Sequence, residues 1–176
     1  MSELTPTITK AVESGTAKLL DHFKERYGAV IFVPLGVNSS TPAKIAPSIA
    51  ESLESSLLSV DGNKVTLNVV EDKVGVVFDA FMENFFNSLN FIAKTAMKAM
   101  GMKMSWNDFL SQLADRKANN HQSYETWKNN WVMVLHTLFD EVVATFQANG
   151  KEVMISNGEK FFSNSEEAVA GMKIFN

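Results

Sequence analysis

At 176 residues, 45% hydrophobic and 20% charged, the chain is long enough to bury a core of its own and too apolar to be disordered. It has no cysteine, which excludes a disulfide framework, a thiolate metal site and a cysteine nucleophile. A net charge of −4 and a pI near 5.4, with no run of Lys and Arg, argue against a nucleic-acid binder that draws its affinity from phosphate contacts.

Thr5-Pro6 reads as an N-cap followed by proline in the first turn. Ile8, Val12, Thr16, Leu19, Leu20, Phe23 and Tyr27 then form one stripe that Gly28 ends, so a helix is expected over about 6–27. The apolar run 29–33, closed by Pro34, has the length and β-branched content of a buried strand. Residues 36–47 read as a loop rich in Ser, Thr and Pro. Ser48 with Glu51 resembles a capping box, opening a helix to about 59. Asp61-Gly62 marks a turn. Val65, Leu67 and Val69 then alternate with Thr66 and Asn68, as in a half-buried strand over 64–70. A second short strand is expected at 74–77.

The segment that follows is the richest in Phe and Met, and a helix is expected over about 77–100. At 100° per residue, Phe78, Phe81, Met82, Phe85, Phe86, Leu89, Ile92, Ala96, Ala99 and Met100 share one arc. Asp79, Glu83, Asn84, Asn87, Asn90, Lys94 and Lys98 fill the other, with Phe91 among them. Ser105 with Asp108 caps a helix whose face carries Trp106, Phe109, Leu110 and Leu113. After a polar break at 118–123, a long helix runs to about 148 with Tyr124, Trp127, Trp131, Val134, Leu135, Leu138, Val142 and Phe146 on one side. Asn149-Gly150 ends it. Asn157-Gly158, between two apolar runs, predicts a hairpin with a type I′ turn, and one or two helical turns are expected over 165–171. The whole reads as a single helix-rich α+β domain over 1–176, a small antiparallel or mixed sheet packed against several amphipathic helices.

The chemistry-bearing residues are sparse. His136 and Asp140, four apart on one helix, supply at most half a metal site, and no spaced His/Glu motif accompanies them. Met97, Met100, Met102 and Met104 have thioether spacing, but Lys98 and Lys103 between them repel a cation, so no metal is expected. Asn38, Ser39, Ser40, Thr41 and Lys44 lie in a loop where backbone amides could hold an anion, although the P-loop pattern is absent. Trp106, Tyr124, Trp127 and Trp131, with asparagines nearby, suit either a core edge or a stacking platform. No nucleophile motif and no cofactor motif is present.

The N-terminal segment has neither a basic start nor an apolar core, and no uncharged stretch is both long and unbroken enough to span a bilayer. A cytoplasmic protein without nucleic-acid or membrane partners is expected. Lysine outnumbers arginine 14 to 2 beside 15 asparagines, a bias common in AT-rich genomes such as those of many phages. Together these features point to a non-enzymatic structural, assembly or protein-interaction role of the kind viruses and phages encode. The protein would act by self-association or inside a larger complex, with Phe91, Met133, Met102 and Met104 as its contact surface. The alternative is a small-molecule-binding protein or enzyme. Its apolar pocket would lie between the sheet and the Phe/Met-rich helix, lined by Phe81, Met82, Phe85 and Trp131.

Overall fold

Helix α1 (Thr5–Tyr27) follows its apolar stripe: Ile8, Val12, Thr16, Leu19 and Leu20 are all buried. The computed structural model describes residues 3–28, 34–99 and 103–176, so the strand expected over 29–33 lies outside the described residues. Thr5 does not cap α1. The N-cap is Leu4, and the Thr5 hydroxyl instead donates to the Glu54 carboxylate at 2.7 Å. Glu54 belongs to α2 (Thr41–Leu57), which starts seven residues before the expected capping box and runs through Pro47. Pro47 sits on the exposed side of the helix. The buried stripe Ile45, Ala46, Ile49, Ala50, Leu53 and Leu57 continues across it.

Where α2 was expected to continue, the chain turns instead into β1 (Leu58–Asp61). Gly62 at φ +58° then leads into β2 (Lys64–Asn68). A glycine suits this left-handed position. The sheet is mixed, in the order β1-β2-β3-β4, with β3 at Glu152–Ser156 and β4 at Phe161–Phe162. β2 pairs antiparallel with β1 and parallel with β3, with Val65 opposite Val153 and Leu67 opposite Ile155. Val65, Leu67 and Ile155 are buried. The β3–β4 hairpin forms as expected, but its turn is not type I′, which needs positive φ at two successive residues. Only Gly158 has it, at +89°. The loop is longer: Asn157 Oδ1 accepts from Glu159 N and Lys160 N, both at 2.9 Å, as in an Asx turn.

No strand forms at 74–77. Helix α3 (Glu71–Ser88) begins directly after β2, with Glu71 and Asp72 in its first turn, where carboxylates suit the helix dipole. Glu71 also accepts from Ile174 N at 2.9 Å. The long Phe/Met helix is split in two, with α4 spanning Phe91–Ala99. Asn90 makes the break. Its N–H donates to Leu35 O at 3.1 Å and its Nδ2 to Pro34 O at 2.5 Å, while its Oδ1 accepts from Ala93 N at 2.8 Å. These bonds draw the backbone out of α3 and cap α4 as an N-cap asparagine does. The helical phase restarts at the break, so Ile92, expected within the buried arc, is 78% exposed.

Helices α5 (Trp106–Ala118), α6 (Tyr124–Ala148) and α7 (Ser165–Ala170) follow, with the Ser105–Asp108 capping box intact at the start of α5. Helices α3, α2, α1 and α6 pack in succession, and α5 closes the ring by touching both α3 and α6. Trp106 N donates to Asp79 Oδ1 at 2.7 Å, pinning α5 to α3. Phe109, Phe139, Phe146, Phe175, Leu53 and Leu67 are wholly buried in the core that joins helices and sheet. Each contributes about 1.5–3 kcal/mol relative to exposure.

Gly75 lets Trp106 lie flat on α3: a Cβ there would fall 2.3 Å from Trp106 Cδ1. Alanine normally gains up to about 1 kcal/mol over glycine within a helix. Here Gly75→Ala is expected to cost about 1–3 kcal/mol instead, because the buried indole has to move, and a urea melt reads the sign directly.

Candidate ligand-binding cleft

The Phe/Met arc of α3 divides between core and cleft. Phe78 and Phe86 are buried, whereas Phe81, Met82 and Phe85 are half-buried. Phe81 and Phe85, one turn apart, stack with ring centroids 6.2 Å apart and planes 5° from parallel. They face the C-terminal half of α1, which presents Leu19, Leu20 and Phe23, and the N-terminal half of α6, which presents Trp127, Trp131 and Val134. Together they enclose a cleft of about 600 Å³, open on one side. Met97 of α4 and Met104 border it, and Thr16, Gln112 and Asn130 are its polar members.

All four residues expected to line an apolar pocket, Phe81, Met82, Phe85 and Trp131, lie in this wall. The expected location is corrected, however. No strand residue is among the described lining residues; the cleft lies between helices, inside the ring. Helix α6 runs from the cleft at its N-terminal half to β3 just beyond its C-terminus. The opposite wall was not identified from the sequence, because the proximity of α1 to α3 is a tertiary fact. Thr16 lies within the stripe of α1, where a lone hydroxyl among apolar residues is the signal the sequence carries.

Trp127 and Trp131 continue from the cleft into an aromatic cluster of the core. Phe109 stands 5.3 Å from Phe78, 5.4 Å from Trp106 and 5.1 Å from Trp131, centroid to centroid. It also stacks with Trp127 at 6.4 Å. The Arg116 guanidinium lies 3.8 Å over Trp127. Trp106 therefore belongs to the core, and Trp127 and Trp131 join core to cleft. None of the described lining residues is ionisable, so the walls offer dispersion and a few hydrogen bonds; Arg26 stands behind one of them, donating to Asn130 Oδ1 at 3.3 Å.

Phe91 is 82% exposed on α4. Met133 is half-buried against the core, Met104 is half-buried at the cleft, and Met102 lies outside the described residues. The loop before α2 is closed by its own hydrogen bonds. Asn38 Oδ1 accepts from Ser40 N at 2.8 Å and Ser40 Oγ at 2.5 Å, and Asn38 N donates to Thr41 Oγ1 at 3.0 Å. An anion there would compete with the Asn38 amide for Ser40 N–H. Thr41 is buried, whereas Ser39 and Lys44 are exposed.

His136 Nδ1 lies 3.1 Å from Asp140 Oδ2, and Ser165 Oγ donates to Asp140 Oδ1. The three types of a hydrolytic triad thus meet, but in the wrong order: the carboxylate sits between serine and histidine, and Ser165 is fully buried. The cluster fastens α7 to α6. Among the described residues no group of three or more His, Asp or Glu side chains could hold a metal ion. No described helix is long and apolar enough to cross a membrane. No protein-family model, curated protein or solved structure matches the chain.

Proposed function

We propose that this protein binds a small apolar molecule in the cleft between α1, α3 and α6. One observation carries the reading: a cleft of about 600 Å³, walled by Phe, Trp, Leu and Met, within helices that are otherwise closely packed. Protein interiors rarely keep voids much larger than a water molecule, and ligand pockets typically span about 300–1,000 Å³ with apolar walls and a few polar groups. Fluorescence titration with diphenylhexatriene, a neutral rod-shaped hydrocarbon, tests it. Saturable, single-site emission enhancement is expected. Emission that rises linearly without saturation would remove the reading.

A second reading, a protein-interaction or assembly role, is favoured by one separate observation. Phe91 and Ile92, adjacent on α4, are 82% and 78% exposed. Large apolar side chains exposed side by side mark contact surfaces more often than single ones do. On that reading the native protein elutes as an oligomer by size-exclusion chromatography with light scattering, and the double variant Phe91→Ser, Ile92→Ser elutes as a monomer. A native protein already monomeric at high concentration contradicts self-association through this surface.

A further inference from the structure

Thr16 breaks a pattern that four other helical threonines of this protein keep. Thr9, Thr95, Thr137 and Thr145 each donate their hydroxyl to the carbonyl four residues back, at 2.6–3.0 Å. That is the usual outlet for a threonine inside a helix. Thr16 is 1% exposed, yet its Oγ1 has no hydrogen-bond partner among the described residues. It stands in the cleft wall with Leu19, Leu20 and Val134. Buried hydroxyls are nearly always partnered, so an orphan one in the wall of an apolar cleft asks for a partner from outside the chain.

We infer that Thr16 is the polar anchor of the cleft, and that the occupant is a neutral molecule with an extended apolar body and one carbonyl or hydroxyl oxygen that accepts the Thr16 proton. This rests on the cleft-binding reading above. Neutrality follows from the wall: a carboxylate or ammonium drawn in would lose its hydration with no ionisable side chain among the described lining residues to replace it. Size follows from the volume. Apolar cavities of about 150 Å³ take up benzene, so a cleft four times larger and open on one side suits about 15–20 non-hydrogen atoms. A single anchor selects for the position of one oxygen and leaves the rest of the molecule to shape.

The test displaces bound diphenylhexatriene from the full-length protein with 2-undecanone, 1-decanol or decanoate. The ketone and the alcohol are expected to compete at least tenfold better than the ionised acid. Thr16→Val keeps the shape of the side chain and removes the hydroxyl. It should weaken the ketone and alcohol about three- to tenfold relative to diphenylhexatriene, the worth of one net hydrogen bond. Thr16→Ser should restore them. A purely structural role for Thr16 would instead change hydrocarbon and ketone affinity together. Equal affinities of native protein and Thr16→Val for the ketone, or decanoate competing as well as decanol, would overturn the inference and leave the cleft reading standing. Failure of the native protein to take up diphenylhexatriene would remove the reading beneath it.

Discussion

Phe109→Ala is expected to destabilise the fold by about 3–5 kcal/mol, read as a fall in the urea midpoint at unchanged slope. Phe109 is fully buried where α3, α5 and α6 meet, within ring-contact distance of Phe78, Trp106, Trp127 and Trp131. Truncation removes the transfer free energy of the ring and leaves a hole. Four aromatic neighbours cannot all collapse into it, because each is also held elsewhere. Trp106, for instance, is seated against Gly75, and its backbone N–H donates to Asp79 Oδ1. Aromatic pairs add about 0.5–1.5 kcal/mol each beyond burial, which places the loss at the upper end of the range for phenylalanine. A loss below about 1 kcal/mol would mean that α5 is not packed into the ring as described.

The second large effect concerns the cleft itself. Met82 is half-buried in the α3 wall of the cleft, which Phe81, Phe85 and Met104 also line. Met82→Trp directs a bulky ring into open space rather than into the packed core. Diphenylhexatriene affinity is expected to fall by more than about tenfold, over 1.4 kcal/mol, while the urea midpoint holds or rises. Stability and binding thus move independently, which separates loss of the cleft from loss of the fold. A variant that binds the probe as tightly as the native protein would place the probe elsewhere.

What the sequence made legible follows the range of the interactions involved. The start of α5 and the ends of α1 and α6 could be read because Ser105–Asp108, Gly28 and Asn149-Gly150 act within a few residues. The same holds for the alternation of β2. The split of the Phe/Met helix was not legible. The bonds that decide it join Asn90 to Pro34 and Leu35, more than fifty residues away, and nothing in the local period announces them. The early start of α2 was hidden by Pro47, because an interior proline usually breaks a helix and here the helix runs through it. β1 was absorbed into the preceding helix, since a four-residue edge strand has too little pattern of its own.

The cleft was half legible for the same reason. Phe81, Met82, Phe85 and Trp131 could be grouped as a pocket wall from periodicity alone. Leu19, Leu20 and Phe23 could not be set opposite them until α1 was seen to run beside α6 and across from α3. Thr16 showed only a lone hydroxyl in an apolar stripe, because what sets it apart is a missing bond rather than an unusual neighbour.

The methionines provide the most direct test of the central claim. Met82, Met97 and Met104 border the cleft, whereas Met133, Met154 and Met172 lie in other parts of the described structure. In a methyl NMR titration with diphenylhexatriene, the ring currents of the bound probe should move the ε-methyl resonances of Met82, Met97 and Met104 and leave those of Met133, Met154 and Met172 in place. No shift at the first three, or shifts concentrated on the second three, would contradict a ligand held between α1, α3 and α6.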